Sequence, residues 1–295
     1  MVIVQLYGGL GNQLFQYALG RRVSERNKVP LKLDLSAFET YKLHKYSLFN
    51  FDICENIATA KDLKKIKQLR SGAGLFCKIS RFKERMAPNM LKYHIIQKNV
   101  GFEPHVMNMG GEIYLEGYWQ SEKYFKDIEE IVRKEFFIKT VPSEENKKIG
   151  SQIAGSDSIS IHVRRSDYVN DSRTNNVHGA CSIEYYKAAI AKITQGIKKP
   201  VFYVFSDDHE WTRKELKINY PAVYVENNNA EKNYEDLRLM SLCKHNIIAN
   251  SSFSWWGAWL NENPDKVVIA PAEWFNSKVI KYDIGDIVPQ SWIKM

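Results

Sequence analysis

The chain has 295 residues, a length that suits two packed domains of average size. Apolar residues make up 44% of the sequence, which provides a sizeable core and argues against disorder. The four cysteines are scattered without a CxxC pair, so we expect neither disulfides nor a structural zinc site, and the formal net charge is +8.

The first half of the sequence begins with a strand pattern and lacks the charged start and apolar stretch of a signal peptide. No run of about eighteen apolar residues suggests a membrane span, so we expect a cytoplasmic protein. Periodicity and turn residues give the local structure. The predicted elements are strand 2–7, a glycine-rich turn at 8–13, helix 14–27, strand 31–35, a mostly helical stretch at 55–100, strand 112–119 and helix 121–136.

The positive charge is concentrated in residues 61–98, which hold eleven Lys and Arg but two acidic residues, whereas the rest of the chain is nearly neutral. One interpretation is a solvated helical face. Another is attraction to an anionic membrane surface or an acidic glycan. Binding of nucleic acid is disfavoured, because no nucleic-acid motif accompanies the charge.

Residues 139–157 are polar and contain proline and glycine, so we place a domain boundary there, giving domains 1–150 and 151–295. Beyond it, strands alternate with helices, which predicts a doubly wound parallel sheet. The sequence therefore favours two Rossmann-like domains of the α/β class, facing each other. The predicted strands of the second domain are 158–163, 201–205, 222–227, 246–249 and 266–271, and its predicted helices are 182–196, 209–218, 231–245 and 252–263.

Four polar clusters directly follow predicted strands. Ligands of open parallel sheets bind at the carboxyl ends of the strands, so we expect these clusters to line a ligand site. They are GGLGNQ at 8–13, HVRRSDY at 162–168, SDD at 206–208 and NSSFSWWG at 250–257.

Arg164 and Arg165 stand where a strand ends, and a guanidinium group matches a phosphate with two hydrogen bonds. Salt bridges to Asp167 or Asp171 are the alternative interpretation. The serines at 251–254 open a helix, where they either cap backbone N–H groups or, with the helix dipole, bind a diphosphate.

The glycine-rich turn matches only part of the dinucleotide-binding fingerprint GxGxxG, because Leu14 occupies the third glycine position. Asp207 and Asp208 are adjacent rather than spaced as in a D-x-D triplet, and the histidines do not cluster. We therefore expect no metal site. Arginine and helix N-termini would then neutralise a departing diphosphate.

Three segments resemble the alpha-1,2-fucosyltransferase family (glycosyltransferase family 11), and the resemblance covers most of the chain. They are GGLGNQLFQYALG at 8–20, IHVRRSDYV at 161–169 and EDLRLMSLCKHNIIANSSFSWWGAWL at 235–260. The resemblance implies a GT-B fold, GDP-fucose as donor, inversion at the anomeric carbon and no metal requirement. It also implies O2 of a terminal galactose as the acceptor, in an oligosaccharide such as bacterial lipopolysaccharide O-antigen.

The same resemblance implies roles for individual residues. Arg164 would contact the donor diphosphate, and His162 would lie near the nucleoside or the phosphates. Asp236 would read the guanine edge, and Asp208 would help to hold the nucleoside. The other implied binding residues are Ser252, Phe253 and Ser254, which would cradle the phosphates, and Gly11 and Asn12, which would face the cleft from the N-terminal, acceptor-side domain.

The base that removes the acceptor proton stays open among Asp167, Asp171, His178 and Glu184. We place Asp167 first because of its closeness to Arg164, although a structural ion pair is an equally good interpretation. A highly dissociative reaction path would need no strong base.

Two other functions fit parts of the sequence. An oxidoreductase binding a nicotinamide dinucleotide at 8–13 would leave the clusters at 162–168 and 250–257 unexplained. A non-catalytic nucleotide-sugar or glycan-binding module would bind GDP without transfer. The basic stretch 61–98 also suits peripheral contact with the inner membrane, and liposome co-sedimentation that does not depend on anionic lipid would contradict that contact.

Overall fold

The computed structural model describes residues 1–40, 43–71, 94–165 and 172–295. The chain divides into two compact units, called here unit 1 (Met1–Phe137) and unit 2 (Ile138–Met295). This division comes earlier in the chain than the predicted boundary between 150 and 151. Residues 72–93 of the basic stretch, and the candidate bases Asp167 and Asp171, lie outside the described residues.

A parallel sheet forms the centre of unit 1. Its strands are β1 (Val2–Gln5), β2 (Leu31–Asp34), β3 (His94–Ile96) and β4 (Ile113–Glu116). Across the described residues they are ordered β2-β1-β4-β3, and Val4 of β1 lies opposite Leu115 of β4. The helices are α1 (Leu10–Asn27), α2 (Ala37–Thr40), α3 (Ala60–Ser71) and α4 (Glu129–Glu135).

Helix α1 starts four residues earlier than predicted. Gly9 keeps an extended backbone, and its carbonyl accepts hydrogen bonds from the N–H groups of Asn12 and Gln13. The second half of the glycine-rich cluster therefore forms the first helical turn instead of a loop. Glycine gave no helix signal at this position, because it is common in turns as well as at N-caps.

Two further predictions for unit 1 are corrected by the structure. Strand β3 lies within the stretch 55–100 that was predicted to be mostly helical, and it pairs with β4. The predicted helix 121–136 is interrupted at Phe125, whose φ of −139° leaves the helical region and whose buried ring packs against Phe15. It consists of 3-10 turns at Glu122–Tyr124 and Lys126–Ile128, followed by α4.

Unit 2 is a doubly wound parallel sheet, as the alternation of strands and helices predicted. Its strands are β5 (Asp157–Val163), β6 (Pro200–Ser206), β7 (Ala222–Tyr224), β8 (His245–Ile247), β9 (Val268–Ala270) and β10 (Ile293–Lys294). Within the described chain their order is β10-β9-β8-β5-β6-β7, which is the Rossmann order with its reversal between β5 and β8. The α/β prediction with parallel sheets is confirmed for both units.

The helices of unit 2 cover both faces of this sheet. They are α5 (Glu144–Ala154), α6 (Ser172–Val177), α7 (Ile183–Ile193), α8 (His209–Glu215), α9 (Asn233–Leu242), α10 (Ser252–Leu260) and α11 (Ile284–Ile287). On one face, Ile161 and Val204 pack against Tyr186 of α7. On the other face, Phe205 packs against Leu239 of α9. Burial on both faces explains the continuous apolar runs of β5 and β6.

Helix α5 occupies most of the segment 139–157, in which the sequence analysis placed the domain boundary. Its N-cap is Ser143, whose hydroxyl accepts a hydrogen bond from the Asn146 N–H. Ile149 and Ile153 pack on the α9 face of the sheet, so the helix belongs to the core of unit 2. The polar composition reflects the solvent side of an amphipathic helix and does not mark a linker.

None of the helices in the described ranges combines the length and apolarity needed to cross a membrane.

Candidate functional site

The carboxyl ends of β5, β6 and β8 lie side by side in unit 2, and each is followed by one of the polar clusters identified in the sequence. The register of β5 and β6 places Val163 opposite Ser206, so the residues after these two positions continue as neighbours. The reversal of strand order between β5 and β8 opens the sheet at this edge, where ligands of such folds bind.

Two arginines after β5 face two aspartates after β6. Arg164 Nε lies 3.3 Å from Asp207 Oδ2, and Arg165 Nε lies 3.5 Å from Asp208 Oδ2. The backbone N–H of Arg165 also donates to Asp207 Oδ1 at 2.8 Å. All four side chains keep roughly a quarter of their surface exposed, so an incoming anion can reach the guanidinium groups.

These pairs give the SDD cluster a role that was not predicted, as partners of the arginines. The salt bridges considered with Asp167 or Asp171 lie outside the described residues. Asp208 also caps helix α8, because its Oδ1 accepts a hydrogen bond from the Trp211 N–H at 3.1 Å. The Arg165 guanidinium stacks on the Trp211 ring at 4.1 Å, which fixes its orientation.

His162, the penultimate residue of β5, is held as a neutral imidazole. Burial, and next the nearby positive charge of Arg164, lower the pKa of His162 to about 3. Its ring lies 5.5 Å from the Phe253 ring at the start of α10. The buried Nδ1 atom has no hydrogen-bond partner in the described part of the chain. An unpaired buried nitrogen of this kind is costly unless a ligand satisfies it.

Helix α10 begins at the end of β8 and presents its amino terminus at the same edge of the sheet. Ser251 is the N-cap, and its hydroxyl accepts a hydrogen bond from the Phe253 N–H at 3.4 Å. Ser252 and Phe253 are partly exposed, whereas Ser254 is buried and its hydroxyl donates to the Ser251 carbonyl. The Ser254 hydroxyl thus bonds within the helix, whereas the predicted phosphate contact of Ser252 stays a prediction beside the helix dipole of the first turn.

Asn250, just before this helix, anchors the segment between α6 and α7. Its Nδ2 donates to the carbonyls of His178 and Gly179, and its Oδ1 accepts from the Cys181 thiol. This role of Asn250 was not predicted from the sequence. Glu184 is exposed in the first turn of α7, and His178 lies in the anchored segment with its ring 5.0 Å from Phe275.

Asp236 lies in the first turn of α9 and joins a cluster of asparagine side chains. Asn228 Nδ2 donates to Asp236 Oδ1 at 2.8 Å, and Asn146 Nδ2 donates to Asn228 Oδ1 at 2.9 Å. Asn227 Nδ2 in turn donates to Asn146 Oδ1 at 2.7 Å. The pKa of Asp236 is raised to about 7, chiefly by burial. The hydrogen bond from Asn228 lowers the pKa, and the nearby charge of Glu235 raises it.

The sequence did not indicate that these asparagines would surround Asp236, because they come from α5 and from the segment after β7. They turn a helical aspartate that would otherwise be solvated into a fixed carboxyl group with a shifted pKa. Such shifts occur often at functional sites, although structural networks produce them as well.

The two predicted binding residues of the N-terminal domain belong to the carboxyl edge of the unit 1 sheet. Gly11 is buried in the first turn of α1, and Asn12 Oδ1 accepts a hydrogen bond from Gln120 Nε2 at 2.8 Å. Gln13 is fully buried and its Nε2 donates to the carbonyls of Gly8 and Lys45. Gln13 therefore holds the surrounding loops together.

The described residues contain no group of three or more His, Cys, Asp or Glu side chains arranged to hold a metal ion. The adjacent carboxylates Asp207 and Asp208 face arginines instead. The described residues place guanidinium groups and a helix terminus at this edge of unit 2.

Comparisons with known proteins show the family of this chain. A model of glycosyl transferase family 11 matches residues 89–295. Over 304 residues the chain is 34% identical to an alpha-1,2-colitosyltransferase of Escherichia coli, covering 100% of this chain and 99% of that protein. It is 32% identical over 317 residues to the O-antigen biosynthesis glycosyltransferase WbnK of Escherichia coli. That match covers 98% of this chain and 99% of that protein.

A third relative is the galactoside 2-alpha-L-fucosyltransferase Sec1 of Mus musculus, with 27% identity over 157 residues, covering 51% of this chain and 43% of that protein. The family model spans more than half of the chain, and the two Escherichia coli relatives match nearly all of it. The chain belongs to glycosyltransferase family 11.

Proposed function

We propose that this glycosyltransferase moves L-fucose from GDP-fucose to O2 of a galactose in an oligosaccharide, forming an alpha-1,2 linkage with inversion and without a metal ion. The observation that carries the proposal is the carboxyl edge of the unit 2 sheet, which carries Arg164 and Arg165 after β5, and where His162 lies against the start of α10. Its guanidinium groups and helix terminus suit a diphosphate.

The arginines are held ready for such an anion by their aspartate partners. At 3.3 and 3.5 Å, in partly exposed positions, the pairs are loose, and a diphosphate can take over part of their interaction. The unpaired Nδ1 of His162 offers one more polar contact. Because His162 is neutral at physiological pH, it would orient the donor and would not supply positive charge.

In the proposed reaction, the bond between C1 of fucose and the β-phosphate oxygen breaks and a bond from the acceptor oxygen to C1 forms. The transition state resembles an oxocarbenium ion, and negative charge grows on the departing GDP. Arg164 and the start of α10 stabilise that charge. The acceptor proton passes to a base, for which we keep Asp167 as first candidate, or to water.

The Asp236 cluster suits the base of the nucleotide. Guanine presents N–H donors at N1 and N2, which match acceptor oxygens. Asp236 supplies a carboxylate, and the buried Oδ1 atoms of Asn227 and Asn233 have no hydrogen-bond partner among the residues that the structure describes. Acceptor oxygens favour the N1 and N2 donors of guanine over adenine, whose N1 is itself an acceptor.

The donor sugar has a second candidate, because a relative matching nearly the full length is named as an alpha-1,2-colitosyltransferase. Colitose is L-fucose without its 3-hydroxyl group, so the two donors differ in one polar contact. Fucose is supported by the motif resemblance and by the more distant galactoside fucosyltransferase. The name of a second relative, an O-antigen biosynthesis glycosyltransferase, supports a bacterial surface glycan as acceptor. We propose that the protein reaches this acceptor by peripheral contact with the inner membrane.

The proposed function is tested by incubating the protein with GDP-fucose and lactose, with and without EDTA, and following GDP release and product. We expect an alpha-1,2-fucosylated product whose rate is unchanged by EDTA. GDP-colitose in a parallel reaction identifies the preferred donor. Product that requires an added divalent cation contradicts the metal-free mechanism, and GDP binding without any transfer points to a non-catalytic module.

Arg164→Lys is expected to lower kcat/KM about a hundredfold, because an ammonium group cannot reproduce the paired hydrogen bonds of a guanidinium group to the leaving phosphate. The matched control is Arg213→Lys, which alters an arginine of unit 2 that also has a carboxylate partner, Glu226 at 2.8 Å. That control should retain wild-type turnover. Near-normal turnover by Arg164→Lys would remove Arg164 from the mechanism.

The affinity for GDP is expected to rise between pH 6 and pH 8 more steeply in the wild type than in Asp236→Asn. The pKa of Asp236 is raised to about 7, so its carboxylate, which accepts the guanine N–H groups, forms as the pH rises through that value. Calorimetric titration of GDP at several pH values measures the difference.

The control for that titration is Asp157→Asn at the opposite end of β5. A hydrogen bond from Lys244 holds the pKa of Asp157 below its usual range, so Asp157 stays ionised throughout. The control should keep the wild-type pH profile. Identical profiles for the wild type and Asp236→Asn would exclude Asp236 from base recognition.

A further inference from the structure

Two tyrosines stand side by side at the carboxyl edge of the unit 1 sheet. Tyr7 and Tyr118 each lie two residues beyond the end of their strand, β1 and β4. The register that pairs Val4 with Leu115 continues to these positions, and the ring centroids are 4.9 Å apart. Tyr118 is 47% exposed, so a ligand can reach its ring.

The backbone beneath both tyrosines is fixed by buried amide side chains. Gln16, fully buried in α1, accepts a hydrogen bond from the Tyr7 N–H at 3.1 Å and donates to the Gly117 carbonyl at 3.2 Å. Gln97 Oε1 accepts from the N–H groups of Tyr118 and Trp119 at 2.8 and 2.9 Å. The tyrosine rings are therefore positioned before any ligand arrives, which lowers the entropic cost of binding.

The residues next to Tyr118 adopt a conformation that the surrounding structure imposes. Trp119 has a φ of +56°, a region that bulky residues rarely adopt. Gly117 has no room for a side chain, because an added Cβ would lie 2.5 Å from the Gln97 Cβ. Backbone strain of this kind is often found where a segment is shaped for binding.

Gln120, two residues after Tyr118, has a side-chain oxygen without a hydrogen-bond partner in the described chain. Gln120 Nε2 donates to Asn12 Oδ1 at 2.8 Å, which ties the segment after β4 to the first turn of α1. Gln120 Oε1 is buried and has no hydrogen-bond partner within the described chain. Burying an amide oxygen without a donor is costly, so a hydrogen bond from a ligand hydroxyl at this position is favourable.

The groups at this edge suit a neutral ligand. The carboxylate of Glu116 is occupied by His94 Nε2 at 2.7 Å, and burial, together with Tyr118 and Glu116, raises the pKa of Tyr7, which keeps its hydroxyl protonated. Aromatic faces, phenol hydroxyls and amides match the C–H face and the hydroxyls of a pyranose ring. This chemistry differs from the arginine-rich edge of unit 2.

We propose that Tyr7, Tyr118 and the Asn12–Gln120 pair form a binding subsite for a neutral pyranose sugar. Its use as the acceptor subsite rests on the proposed transfer function. In this subsite Tyr118 packs against the C–H face of the sugar, and Gln120 Oε1 accepts a hydrogen bond from a sugar hydroxyl. Asn12 then serves sugar binding through its hold on Gln120.

The test uses Tyr118→Ala and Tyr118→Phe, with Phe137→Ala as the control at another exposed aromatic residue of unit 1, 64% exposed. Removing the ring should raise the KM for lactose about tenfold, whereas KM for GDP-fucose stays unchanged. Tyr118→Phe keeps the packing surface and should stay within about threefold of the wild type. The Phe137→Ala control should match the wild type.

A neutral-glycan array probed with the same four proteins separates this inference from the proposed function. An unchanged acceptor KM in Tyr118→Ala, in a protein that transfers fucose, overturns the subsite and leaves the function standing. Array binding that is lost in Tyr118→Ala supports the subsite even if GDP-fucose is not used. The subsite is also overturned if the wild-type protein binds no neutral glycan on the array and transfers sugar to no acceptor.

Discussion

The parallel register of β5 and β6 is the constraint on which the candidate nucleotide site depends. It places Val163 opposite Ser206, so that the two cationic residues after β5 meet the two anionic residues after β6. Adjacent arginines repel one another, and counter-charges from the neighbouring strand stabilise them without burying them. The continuous apolar burial of both strands makes this register rigid, which positions the guanidinium groups before a ligand binds.

Unit 1 uses the same principle with different chemistry. The register of β1 and β4 brings together Tyr7 and Tyr118, and buried amides hold the backbone below them. The edge of unit 2 carries charge, a helix terminus and a titrating carboxyl group, whereas the edge of unit 1 carries neutral hydroxyls, amides and aromatic rings. A transferase with a charged donor and a neutral sugar acceptor requires both kinds of surface.

Sequence patterns were sufficient for features that depend on local order. Strands β5 to β9 of unit 2 and the clusters after them were predicted because apolar runs and polar turns alternate there, and β10 was not predicted. Arg164 was singled out by its place at a strand end, whereas the role of His162 came from the family resemblance. Features created by tertiary contact were not predictable. The Asp207 partner of Arg164, the asparagines around Asp236 and the Tyr7–Tyr118 pair all come from segments distant in sequence. Composition also misled at α5, whose solvent face resembles a linker.

The most direct test of the account is amide hydrogen exchange with and without saturating GDP. We expect slower exchange in residues 162–165, 206–212 and 250–256, where the arginine pairs and the start of α10 receive the diphosphate, and in residues 227–237 around Asp236. Exchange that GDP leaves unchanged at 162–165 and 250–256, or that slows only at the glycine-rich cluster 8–13, would contradict a nucleotide site at this edge of unit 2.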